Sequence, residues 1–184
     1  MEGDKKTGVT IMEMTKKLDA GKIYGIKEYE ILDTDNASIL FEKLSIIGRD
    51  LLLELFEDII SGKNIGIEQD DKIATFSKNI DKEEEKIDIN DTSINIRNKI
   101  RGLAYDPGAY LEIDGIRLKI FDVKIVENNS NNKPGTILQT KKEIIIKTKD
   151  SAISLESVLY PGKRIMTGKE FSNGQKIFKD GEII

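Results

Sequence analysis

Two absences limit the side chains able to do chemistry in this sequence: none of its 184 residues is histidine or cysteine. Histidine is the usual proton carrier near neutral pH and the commonest metal ligand, while cysteine supplies disulfides and thiolate metal sites. Carboxylates, lysines, hydroxyls and amides remain. Among the carboxylates, Asp19 stands out by its setting, L-D-A-G (Leu18 to Gly21), shortly after the β-branched run T-G-V-T-I-M (Thr7 to Met12). On spacing alone it reads as a turn residue bonding to its own backbone ahead of Gly21. With an ordinary pKa of about 3.9, such a carboxylate is ionised at neutral pH and is a poor proton donor unless burial raises it.

The second set of chemically competent residues is cationic. Arg97, Lys99 and Arg101 share one short stretch, Arg117 and Lys119 alternate with Ile116, Leu118 and Ile120, and Lys163 and Arg164 are adjacent in G-K-R-I-M. Cations presented together release counterions on meeting phosphates, which gives affinity with little reading of sequence. The charge distribution points the same way. Residues 1–73 carry 10 Lys+Arg against 16 Asp+Glu, whereas residues 92–184 carry 16 against 11, a net of +5. The chain therefore has an acidic part and a basic part, and the basic part is the candidate surface for a polyanion. A surplus of that size is also what ordinary solvation requires.

These groups need elements to position them. Thr7 to Met14 and Lys22 to Ile31 fit two strands joined through the L-D-A-G turn. From Leu40, apolar residues recur at Leu44, Ile47, Leu51, Leu55 and Ile59, the three-and-four spacing of one helical stripe. Asp35 or Asn36 can cap its start, and Ser61-Gly62 supplies the stop. Two strands and a helix enclose no core, so apolar surface is left over. A clean monomer on gel filtration would count against the self-association this predicts. Residues 63–91, with the charged run Asp81 to Lys86, read as a polar linker. A short helix is expected from Asp91 or Thr92 to about Arg101, presenting Ile96, Ile100 and Leu103 to a core and ending at Gly102. Then the pattern becomes β: Tyr110 to Ile113 and Ile116 to Ile125 flank Asp114-Gly115, a dipeptide suited to a tight hairpin turn. After the Asn-rich loop Asn128 to Asn132, strands are expected near Thr136 to Gln139, Glu143 to Thr148 and Ala152 to Leu159, with a last short helix starting near Thr167. Five short strands at this spacing suggest a small closed barrel. No apolar run approaches the roughly 20 residues that cross a bilayer, and the first residues are unlike a signal peptide. A cytoplasmic protein is expected, with neither membrane nor DNA as partner.

The motifs, taken in order, resemble the methionyl-tRNA formyltransferase family from Gly3 to Gly174. G-D-K-K-T-G-V-T-I-M-E-M (Gly3 to Met14) and L-D-A-G are similar to the second half of that family's catalytic domain. A-T-F (Ala74 to Phe76), I-D (Ile87, Asp88), I-R-G-L (Ile100 to Leu103), P-G-A (Pro107 to Ala109), L-K-I (Leu118 to Ile120), P-G-T-I-L (Pro134 to Leu138) and G-K-R-I-M with Phe171 and Gly174 resemble its C-terminal domain. Each is weak alone; their order and spacing are specific. The sequence departs from the family at Ile89, where a tryptophan is usual, at Lys78-Asn79, and at A-Y-D-P-G-A (Ala104 to Ala109), which keeps one of two prolines.

The resemblance implies an α+β chain: a remnant of the α/β formyltransferase domain over 1–62, a linker over 63–91, and an oligonucleotide-binding-type β-barrel over 92–177 that binds tRNA. It implies transfer of a formyl group from 10-formyltetrahydrofolate to the amino group of methionyl-initiator tRNA, without a metal and with a monomeric full-length enzyme. In the family an Asn donates to the developing oxyanion, a His handles the proton and an Asp holds the His. Only the Asp maps here, as Asp19; the Asn, the His and the family's S-L-L-P folate loop lie ahead of the position of Met1. The chain alone is therefore expected to be inactive. The tRNA contacts are expected at Arg97, Lys99, Arg101, Arg117, Lys119, Lys163 and Arg164, with Lys163 and Arg164 favoured. Other classes stay open: a stand-alone RNA-binding barrel without catalysis, or a relative that formylates a nucleotide sugar.

Overall fold

A computed structural model describes residues 1–174 and 177–184. By contact the chain divides into two compact units, Asp4–Asn79 and a larger one formed by Ile80–Ile184 with Met1–Gly3.

In the smaller unit, β1 (Lys6–Met12) and β2 (Ile23–Glu30) form an antiparallel hairpin in the register Lys6↔Glu30 to Met12↔Ile23. Helix α1 (Ala37–Ile60) packs on both strands through the predicted stripe, in which Leu51 is buried. Of the two expected caps, only one is used. Asn36 caps the helix, its side-chain oxygen accepting from the Ile39 amide at 3.0 Å. Asp35 instead turns inward: its carboxylate accepts from the Leu32 amide (2.9 Å), the Tyr29 hydroxyl (3.2 Å) and the Lys43 ammonium (2.7 Å), and Lys43 also reaches the Tyr29 oxygen at 2.7 Å. Burial pushes the Asp35 carboxyl up, but the Lys43, Leu32 and Tyr29 donors together outweigh it and hold the pKa below the usual carboxylate range. A lowered folded-state pKa means that this carboxylate stabilises the fold above about pH 3.8 and loses its contribution as the pH falls through the folded value. Lys43→Met is expected to lower stability, by less than for a fully enclosed pair because the ammonium retains water contact. Thermal melts at pH 7 and pH 3 check this: the gap between variant and parent should narrow in acid.

Elsewhere this unit leaves apolar side chains in water. Phe41, Leu53, Phe56 and Ile60 on α1 are all exposed, as are Ile26, Ile67 and Phe76.

The larger unit is built on a curled antiparallel sheet. Helix α2 (Ser93–Leu103) precedes β3 (Ala109–Ile113), β4 (Ile116–Val126), β5 (Ile137–Gln139), β6 (Ile145–Lys147), β7 (Ala152–Leu159), β8 (Ile165–Thr167) and α3 (Gly168–Gly174). The strand order is β3-β4-β7-β6-β5, with β8 added beside β7. All five expected strands are present; β8, three residues long, makes a sixth. Among the named strands β3 and β5 do not pair, and the sheet's edges are covered by irregular chain. The amide of Tyr110 donates to Glu85 and that of Ile87 to Tyr110, while Ile137 donates to Glu182 and accepts from Gly181, and the Gly135 carbonyl accepts from Ile184.

Local chemistry explains these elements. Asp114 and Gly115 both adopt positive φ (50° and 77°), the left-handed pair that a two-residue hairpin turn demands. Thr92 caps α2 through the Asn95 amide, and Asp150 accepts from the Ser93 amide at 2.8 Å, tying the helix start to the turn before β7. That bond first of all holds the Asp150 carboxyl below its usual range. Gly102 does not end α2. The helix runs one residue further because Leu103, fully buried beside Ile96 and Ile100, continues its apolar stripe. The core joins that stripe to Leu111, Leu118, Ile120, Ile146, Ile153, Leu155, Val158 and Phe171.

The stretch 63–91 is divided between the two units. Ile67 exchanges backbone bonds with Ile23 in the smaller unit, and 85–87 lines β3 in the larger one. Within the charged run, Asp81 and Glu84 form a reciprocal capping pair, each side chain accepting from the other's amide at 3.0 Å.

Candidate functional site

Asp19 lies in the loop joining β1 to β2 and adopts a left-handed conformation, φ 50°. The loop is fixed from its backbone. The Glu13 amide bonds the Lys22 carbonyl at 2.9 Å, and Gln69 donates to the carbonyls of Asp19 (2.9 Å) and Gly21 (2.7 Å). Gly21 is buried so tightly that an added Cβ would lie 1.9 Å from the Glu13 carbonyl oxygen, which explains the glycine of L-D-A-G. Asp19 itself is exposed, and its neighbours Leu18 and Met14 are almost wholly so. An open carboxylate of this kind can orient a cation or a protonated base. With no histidine in the sequence, no carboxylate–histidine pair can form around it within this chain.

The basic candidates separate into two groups. Helix α2 lies against the core side of the sheet through Ile96, Ile100 and Leu103, so Arg97, Lys99 and Arg101 belong to that side. Lys99 donates to the Lys86 carbonyl at 2.7 Å, and the partly buried Arg97 and Arg101 have contacts of their own. Arg117 and Lys119 project from the opposite face of the sheet, alternating with Leu118 and Ile120, which are completely buried. Arg117 sits over the Tyr110 ring, 4.8 Å from its centroid, and Lys119 donates to the Pro107 carbonyl at 2.5 Å. Strand register brings Ile165, the residue that follows the last pair, to this same face. Lys119 is paired with Leu159, and Leu159 with Ile165, the residue after Lys163-Arg164. Both members of that pair are exposed, and Arg164 forms a 2.9 Å salt bridge with Glu170.

Glu170 also closes a capping box. Its carboxylate accepts from the Thr167 amide (2.8 Å) and hydroxyl (3.1 Å), and Thr167 in turn accepts from the Glu170 amide. The Thr167 amide, more than Arg164, holds that carboxyl below its usual range. The sequence placed a helix start near Thr167 without showing that the same box anchors Arg164.

Residues 79–176, more than half of the chain, match the family described as formyl transferase, C-terminal domain. The chain belongs to the formyl transferase family. Over 176 residues, 95% of its length, it is 42% identical to methionyl-tRNA formyltransferase of Staphylococcus aureus strain MW2. The match takes in 57% of that relative, so the chain spans little more than half the length of the curated relatives it matches. Among solved structures, HypX from Aquifex aeolicus in complex with tetrahydrofolic acid superposes with a TM-score of 0.70 at 20% identity, over 91% of this chain and 30% of that one. Methionyl-tRNA formyltransferase from Clostridium thermocellum gives 0.55 at 18% identity, over 90% and 59%. These likenesses bear on the fold, and they agree with the α+β architecture. No helix among the described residues is long and apolar enough to cross a membrane.

Proposed function

We propose that the chain is part of an enzyme that transfers a formyl group from 10-formyltetrahydrofolate to the amino group of methionyl-initiator tRNA. In this reading the unit Asp4–Asn79 is the end of the catalytic domain and contributes Asp19, and the unit Ile80–Ile184 binds tRNA. The observation that carries it is the identity of 42% along 95% of the chain to a methionyl-tRNA formyltransferase. Asp19 stands in an open loop beside exposed Leu18, and its surroundings do not enclose a pterin-sized ligand. The residues present therefore do not fit the folate donor.

What this chain supplies is a surface for phosphates. Lys163 and Arg164 are exposed in the turn between β7 and β8, and Arg164 bridges to Glu170 of the Thr167–Glu170 box. Replacing both with alanine is expected to weaken initiator tRNA binding roughly ten-fold at moderate salt and to lower the slope of log affinity against log salt by about 1 to 2. Filter binding across a salt series measures both quantities. An unchanged affinity and slope would remove the pair from the interface.

A further inference from the structure

The sheet face that carries Arg117 and Lys119 holds more than charge. Register aligns Tyr110, Lys119, Leu159 and Ile165 in one row across β3, β4, β7 and β8. Their immediate neighbours along the strands, Leu111, Leu118, Val158 and Met166, face or pack against the core, so this row belongs to the outer face. Beside it, Tyr105 packs on Phe121 with centroids 5.0 Å apart, yet remains 46% exposed. Lys119 is steered toward this aromatic pair by its bond to Pro107, two residues beyond Tyr105. Ile165 is 43% exposed at the far end. Glu112, opposite Arg117 in the register, has Lys86 at 3.6 Å as a partner of its own.

We propose that this face binds an unpaired RNA segment, with a nucleobase stacked on Tyr105 and the flanking phosphates on Arg117, Lys119 and Lys163. A half-exposed ring backed by a second aromatic cannot collapse inward, and offers a flat apolar surface of the kind on which bases stack. Paired bases present no such face to a protein, whereas unpaired ones can be splayed onto aromatic side chains. Cations on both sides of the row match a strand that crosses it, and their local clustering suits a run of phosphates. The proposal deepens the tRNA-binding reading and rests on it: it distinguishes unpaired loop nucleotides from the helical stems.

The test uses the 184-residue chain with three probes: initiator tRNA, a short single-stranded oligouridylate, and a blunt RNA duplex with the same number of phosphates. Tyr105→Ala should weaken oligouridylate binding about ten-fold, leave the salt slope unchanged, and leave duplex binding unaltered. Tyr105→Phe, which keeps the ring and the packing on Phe121, should restore parent affinity. Equal oligouridylate affinities for the parent and Tyr105→Ala would overturn the proposal, as would failure of the parent to bind oligouridylate or an equal loss on the duplex. Failure of the broader reading looks different: initiator tRNA then shows no preference over the duplex and no response to Lys163→Ala with Arg164→Ala.

Discussion

Incubated with 10-formyltetrahydrofolate and methionyl-initiator tRNA, the purified 184-residue polypeptide is expected to form no formyl-methionyl product above the uncatalysed background, even in a single turnover with protein in excess. Formyl transfer needs a proton moved from the attacking amine and to the departing nitrogen, and donors aimed at the oxyanion that develops between them. Asp19 is an exposed carboxylate in a loop, and no histidine exists anywhere in the sequence to work with it. Loss of an acid–base group and of an oxyanion donor each typically cost two or more orders of magnitude in rate, so their joint absence should leave nothing measurable. The control is tRNA binding by the same preparation. Formylation by protein shown free of other chains would refute the expectation, and would require a catalytic arrangement made from carboxylates and lysines alone.

The second large effect lies in the core. Phe171→Ala should lower the unfolding free energy by about 3 to 5 kcal/mol, the usual range for removing a buried aromatic ring. Phe171 is completely buried, and its ring lies 6.0 Å from Tyr160 and 6.2 Å from Phe178. It comes from α3, a helix of only seven residues whose other buried position is Gly168, so nothing else on that helix can compensate. Against a typical stability of about 5 to 15 kcal/mol, this would leave a marginal fold. Denaturant titration followed by circular dichroism should show the midpoint falling, with Phe171→Leu losing much less. A midpoint unchanged in Phe171→Ala would mean that the ring is not enclosed as described.

Much of this arrangement could be read before the structure. The Asp114-Gly115 turn, the alternation through β4 and the stripe on α1 are local signals, carried by residues close in sequence, and each stands where expected. The less legible features depend on partners distant in the chain. Nothing near Ile165 marks β8 as a strand; its pairing with Leu159 makes it one. Glu85 sits in the charged run Asp81 to Lys86, which looks solvated, yet with Ile87 just beyond the run its backbone covers the edge of β3, since that pairing uses main-chain groups and ignores side-chain polarity. Asp35 and Asn36 are equivalent caps by composition; Lys43 and Tyr29 draw Asp35 away. The cationic candidates were visible as types, but only strand register could show that Arg117, Lys119 and the approach to Lys163 share a face while the α2 cations do not.

Strand β7 has a consequence for the order in which the larger unit can assemble. One of its edges pairs with β4 throughout, and the other is shared, β6 taking residues 152–154 and β8 taking 157–159. During synthesis β4 is complete at Val126, but its second neighbour arrives only with Ala152–Leu159, and β8 later still. The hairpin of β3 and β4 must wait half-paired while some thirty further residues are made. Closure over that distance carries a loop entropy that local hairpins avoid, and until it happens an apolar face and an open strand edge are available to other chains. Folding of this unit therefore waits on β7, whose arrival permits the sheet to close.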